Sequence, residues 1–161
     1  MATKGWEGRR RASMPRGGPY LLAAIICREA TRGEGGLATL HDLVHAIQAA
    51  TPLGTGGPPL VYRARLYLAF AAGSVVGERA FSIAYRAPGE REEPVWAGAL
   101  PFEPDGVSAY QVDLTLAIRR AGVHWLTVLC EGAAVTQVPL TIFDAPVPDT
   151  EKGTGSGSCQ G

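Results

Sequence analysis

VSAYQVDLTLAIRRAGVHWLTVLCEGAAVTQVPLTIF, residues 107–143, is the stretch that sets the fold class of this chain. In its first third, Tyr110, Val112, Leu114, Leu116 and Ile118 fall on one face and Gln111, Asp113 and Thr115 on the other, the period-two pattern of a half-buried strand. One face meets a core and the other meets water, which is the habit of antiparallel sheets. After Arg119-Arg120-Ala121-Gly122 the chain resumes as VHWLTVLC, turns at Glu131-Gly132 and returns as AVTQVPLTIF. The last two segments are expected to pair as a hairpin with Gly132 at positive φ. Three consecutive antiparallel strands follow, and none of them carries a catalytic signature.

Upstream the same grammar continues. Tyr20 to Arg28 is an unbroken apolar run of the kind found in a buried strand. Leu60 to Ala71 alternates and points Arg63 and Arg65 to water. Gly73 marks a turn, Arg79 to Arg86 is a further strand, and Ala87-Pro88-Gly89 with the charged run Glu90 to Glu93 is a loop. Val95 to Phe102 follows, with Pro101 indicating an edge position or a strand end. Leu37 to Ile47 is read as one more strand, joined to Tyr20–Arg28 through a Gly-Glu-Gly-Gly turn. The expected fold is all-β, a two-layer antiparallel β-sandwich of about seven to eight strands. Its core should hold Leu22, Ile25, Leu66, Leu68, Phe70, Ile83, Tyr110, Val112, Leu114, Leu116, Trp125 and Leu140.

Composition bounds the rest. With 161 residues, 46% hydrophobic and 19% charged, the chain supports one well-buried core. Residues 1–18 read as a disordered basic tail, 19–144 as the β-sandwich domain and 145–161 as a flexible Gly/Ser-rich tail. Lys4, Arg9, Arg10, Arg11 and Arg16 outweigh Glu7, so the remainder of a chain with zero formal charge is acidic. Nucleic acid is therefore expected only at the basic tail, through Arg9, Arg10 and Arg11. Met14 is an alternative start to Met1.

The apolar run Tyr20 to Cys27 follows basic residues as a secretion signal would, but it is short, sits behind Pro19 and lacks a small-x-small site. No segment reaches the length of a membrane span. Three cysteines without a C-x-x-C pair do not make a disulfide framework or a zinc ribbon. Cys27 and Cys130 lie in apolar runs and read as small buried hydrophobes, whereas Cys159 lies in the Gly/Ser tail and reads as exposed. A cytoplasmic protein fits that usage.

One segment raises sharper chemistry. LATLHDLVHAIQA contains His41 and His45, and on a helix an i, i+4 pair would share a face as a zinc-protease pair does. Asp42 stands where that signature has its general base, and its shorter side chain reaches less far toward a metal-bound water. On a strand the two histidines are four rises apart, roughly 13 Å, too far for one ion. The strand is the favoured reading, so no metal and no cofactor are expected. Glu90, Glu92, Glu93, Glu103 and Asp105 match no calcium-loop spacing and read as a solvated cluster. Trp96 and Trp125 read as core or groove anchors.

The opening PYLLAAIICREATRGEGGLATLHDLVHAI and the ending GVHWLTVLCEGAAVTQVPLTIF resemble a family of uncharacterised bacterial β-sandwich proteins. The matching positions are Leu21, Leu22, Cys27, Glu34, Gly35, Gly122, Trp125, Glu131, Gly132, Pro139 and Leu140. The resemblance implies a compact sandwich and brings no catalytic residues with it.

Two functional readings remain. The favoured one is a non-enzymatic protein-binding or assembly module that uses a sandwich edge or loops to take a protein partner or its own copy. Pro139 marks its strand as one that tolerates a missing ladder donor, so Val135, Gln137 and Thr141 are the expected interaction edge. The alternative is a metal-dependent hydrolase built on His41 and His45.

Overall fold

The computed structural model describes residues 17–33, 38–54 and 57–145. The basic tail with Arg9, Arg10, Arg11 and Met14, the Glu34-Gly35 turn and the tail with Cys159 lie outside the described residues. Among the described residues nine strands run in chain order as β1 Tyr20–Arg32, β2 Ala38–Leu43, β3 Ala46–Gln48, β4 Leu60–Ala71, β5 Gly77–Arg86, β6 Glu93–Phe102, β7 Val107–Ile118, β8 Gly122–Cys130 and β9 Ala133–Phe143. They form a four-stranded sheet of order β2-β1-β4-β7 and a five-stranded sheet of order β3-β9-β8-β5-β6. The all-β expectation holds, and the described residues contain no helix.

The core is built by the alternations. Ala64, Leu66, Leu68 and Phe70 of β4 and Val112, Leu114, Leu116 and Ile118 of β7 are buried on one side. They meet Phe81, Ile83, Leu100, Phe102, Leu126, Val128, Leu140 and Ile142 of the other sheet in the same hydrophobic cluster. Three phenylalanines tie the layers together, with ring centroids 5.2 Å apart for Phe70–Phe81 and 5.8 Å, edge-on, for Phe70–Phe102. Such tilted pairs add about 0.5 to 1.5 kcal/mol each beyond their buried area.

Several features depart from a plain antiparallel sandwich. One sheet curls into a half-barrel. β1 is last opposite β4 at Cys27↔Arg65. Beyond that point the Gln111 amide donates to the Ala30 carbonyl and Arg32 donates to the Ala109 carbonyl, so the end of β1 reaches past β4 to β7. Leu37–Ile47 is not one strand either. β2 pairs with Cys27–Arg32 of β1, while β3 runs parallel to β9 through Ala46↔Thr141 and Gln48↔Phe143. The chain changes sheets between Val44, whose amide still donates to the Ile26 carbonyl of β1, and His45, whose carbonyl accepts from the Thr141 amide of β9; Asp42, inside β2, has φ 51.

The hairpin of β8 and β9 forms as expected, with Glu131 at φ 49 and Gly132 at φ 80 in its turn. β7 does not join it. Residues Arg119 to Gly122 carry the chain from one sheet to the other, and Gly122 at φ 123 leaves room where a Cβ would meet Pro88 at 2.9 Å.

Of the expected core, Leu66, Leu68, Phe70, Ile83, Val112, Leu114, Leu116 and Leu140 are buried, and Ile25, Tyr110 and Trp125 are half-buried. Leu22 is 57% exposed. It is the extra residue where the β1–β4 register shifts between Leu21 and Ala23, and a bulged residue drops out of the inward alternation.

Candidate functional site

His41 and His45 are both exposed. His41 lies on β2 opposite Glu29 of β1, and His45 lies beyond the strand end, where its carbonyl accepts from the Thr141 amide of β9. The helical i, i+4 geometry that would aim both rings at one ion is not formed. No group of three or more His, Cys, Asp and Glu side chains among the described residues is placed to hold a metal.

The expected interaction edge on β9 is divided by the fold. Thr141 is covered by β3, whose Ala46 pairs with it. Val135 is the residue skipped where Val128↔Thr136 gives way to Leu129↔Ala134, so the ladder is bulged there. Gln137 donates to the Thr127 hydroxyl at 3.2 Å, and that hydroxyl in turn donates to the Glu92 carboxylate.

The sheets end in four other strands, and they differ in how they are protected. β3 has three residues. β2 has six and stops next to the left-handed Asp42. β6 carries Pro94 and Pro101, the latter near its end as expected, and its register with β5 shifts at Ile83/Ala84. β7 is different. It is twelve residues long, contains neither proline nor glycine, and pairs with β4 in unbroken register from Val107↔Ala71 to Ile118↔Leu60. Among the described residues nothing pairs with its other side. Shortness, prolines and bulges are the usual devices that keep an edge from accepting a foreign strand, and β7 has none of them. Sequence reading missed this edge because an edge strand and a central strand alternate identically when both have one wet face.

The outer face beside β7 carries charge. Arg28, Arg63, Arg65, Asp113 and Thr115 line a cleft of about 390 Å³. Arg65 Nε donates to Asp113 Oδ1 at 2.7 Å and its Nη2 reaches Oδ2 at 3.3 Å, a two-point pairing across β4 and β7. The hydrogen bond from Arg65 pulls the Asp113 carboxyl below the usual carboxylate range. Arg63 is opposite Thr115 and exposed. Among the described residues it makes neither a hydrogen bond nor an ion pair, so the cleft holds more cation than its one carboxylate neutralises.

Cys27, Cys130 and His124 are the buried titratable groups among the described residues. Cys27 and Cys130 are free thiols, and burial pushes both above the usual thiol range. His124 lies fully inside the fold, bonded to Tyr85. Among the described residues no helix is long and apolar enough to cross a membrane.

No family model and no curated protein matches the chain. Among solved structures it is similar to a β-glucosidase from Listeria innocua in complex with glucose, at 8% identity and TM-score 0.45, over 80% of this chain and 17% of that one. It is also similar to Pseudomonas fluorescens alkylpurine DNA glycosylase AlkC bound to DNA containing an abasic site analog, at 12% identity and TM-score 0.38, over 61% of this chain and 27% of that one. A β-D-glucoside glucohydrolase from Trichoderma reesei aligns at 10% identity and TM-score 0.39, over 57% of this chain and 18% of that one. The chain thus spans about a sixth to a quarter of these proteins, and at such scores the likenesses carry no argument about its activity.

Proposed function

We propose that this protein is a non-enzymatic assembly module whose β7 edge accepts a strand from a protein partner. The observation that carries the reading is the contrast among the sheet ends. β2, β3 and β6 are short, proline-bearing or bulged, and β7 is long, regular and open among the described residues. An added strand gains main-chain hydrogen bonds along the edge, and the alternating outer residues Gln111, Asp113, Thr115 and Ala117 give it side-chain specificity. Asp113 is the one charge on that row, and it is paired with Arg65 of β4.

The experiment is sizing by light scattering of the full chain purified from its native cells, beside a variant carrying Gln111→Lys and Ala117→Lys. Lysines on an edge block strand addition; Ala117 is exposed, and Gln111→Lys puts another donor within reach of the Ala30 carbonyl that the Gln111 amide now bonds, so the fold is spared. Wild type should purify in an assembly above monomer mass and the double variant as a monomer. Equal masses for the two would overturn the reading.

A further inference from the structure

The exposed outer row of β7 is close to self-complementary, and this has a consequence for what occupies the edge. We infer that the strand added to β7 is β7 of a second copy of this chain, paired antiparallel about a two-fold axis through Leu114. The inference rests on the proposed use of this edge.

Symmetry restricts the possible registers. Side chains of an antiparallel pair share a face only with residues directly opposite, so a two-fold axis must pass through a residue rather than between two. An axis at Asp113 would set that carboxylate against its own copy, a like-charge contact that disfavours pairing. An axis at Val112 would place Thr115 opposite Ala109, whose carbonyl is already taken by Arg32 at 2.5 Å. An axis at Leu114 does neither. It sets Asp113 opposite Thr115 of the second copy and Gln111 opposite Ala117, while Val112 faces Leu116 on the apolar side. It also keeps the pairing clear of Val107 to Ala109, next to the residue where the Tyr110 hydroxyl donates to the Pro101 carbonyl of β6.

Charge then selects the same register. Arg63 is directly opposite Thr115 on β4, so in this dimer Asp113 of the second copy lies one strand beyond Thr115 in the same row. Two strand spacings are roughly 10 Å, within the combined reach of an arginine and an aspartate leaning toward each other across a threonine. The guanidinium that has no partner among the described residues of its own chain thereby gains one, and Asp113 is held between Arg65 of its own chain and Arg63 of the other. The contact occurs twice across the axis.

The test is sedimentation equilibrium of the purified recombinant full chain. Wild type should be a dimer whose dissociation constant rises with salt. Arg63→Glu should weaken it about tenfold or more, since two charge contacts invert, and should leave the monomer's unfolding midpoint unchanged. Adding Thr115→Lys to that variant sets an ammonium opposite Asp113 of the second copy and should restore association. A wild-type dimer indifferent to both substitutions overturns the register. A strictly monomeric wild type overturns the inference, while edge-dependent assembly in protein purified from native cells would still uphold the module and assign the edge to a different partner.

Discussion

The Tyr85 hydroxyl lies 2.6 Å from Nδ1 of His124, and Nε2 of the same ring lies 2.9 Å from the Arg120 carbonyl. A carbonyl only accepts, so Nε2 carries a proton, and in the neutral ring Nδ1 then accepts from the Tyr85 hydroxyl. The two rings also stack, 5.6 Å between centroids and 15° from parallel. Burial holds the His124 pKa below the usual imidazole range, against the Arg120 carbonyl and Glu90, which favour the charged ring. Burial, aided by Glu90, pushes Tyr85 up to about 12. The pair fastens β5 to the start of β8 at the end of the fold where the chain has just changed sheets.

A pH dependence follows from the sign of that shift. The unfolded chain takes up a proton on this histidine at higher pH than the folded one, so stability is fully present above the ordinary imidazole pKa and falls as pH drops below about 6.5. The denaturant midpoint should decline between about pH 7 and pH 5. His124→Gln, which keeps a donor and an acceptor but does not titrate, should flatten the decline; an unchanged slope would move its origin elsewhere.

Core packing gives a second test. Leu114 is 2% exposed and lies within the cluster that joins the two sheets. Leu114→Ala should cost about 2 to 5 kcal/mol in chemical denaturation. Leu22→Ser should stay within about 0.5 kcal/mol, because the bulge has already turned that side chain to water.

The contrast between these leucines marks how much was legible in the sequence. Where the alternation is strict, as from Tyr110 to Ile118, pattern alone assigns strand, face and most of the core. At Leu22 it fails because a bulge leaves no mark in a run that is apolar throughout. Within Leu37–Ile47 it finds the strands β2 and β3 but not the change of sheet, since they keep similar composition on either side of Val44-His45. The edge was harder still. Pro139 pointed to β9, yet whether a strand is covered depends on a distant segment, here β3 on Thr141, and local pattern carries no record of that pairing.

The buried thiols should be inert. Cys27 is 1% exposed and Cys130 6%, and burial disfavours the thiolate of each. Mass spectrometry after brief alkylation of the folded protein near neutral pH should find both unmodified, and both modified after denaturation. Rapid labelling of either one in the folded state would show that its surroundings open.

The histidines considered for metal chemistry should be dispensable for stability. His41 and His45 are exposed on a strand and beyond its end, so His41→Ala and His45→Ala should each change stability by under about 0.5 kcal/mol. Calorimetric titration with zinc should be identical for wild type and both variants. A stoichiometric zinc site lost in either variant would reinstate the metal reading.

The left-handed residue within β2 gives the last prediction, one in which two substitutions at a single position move in opposite directions. Asp42 has φ 51, the left-handed region that aspartate tolerates, glycine adopts freely and β-branched residues resist. In an uninterrupted strand, Asp42→Val would favour the extended backbone and Asp42→Gly would weaken it. At the observed bend the order reverses. Asp42→Val should lower stability by roughly 1 to 2 kcal/mol, and Asp42→Gly should leave it unchanged or raise it by up to about 1 kcal/mol. Thermal unfolding of the two variants beside wild type decides the matter, and a more stable valine variant would mean that the backbone at Asp42 is extended rather than left-handed.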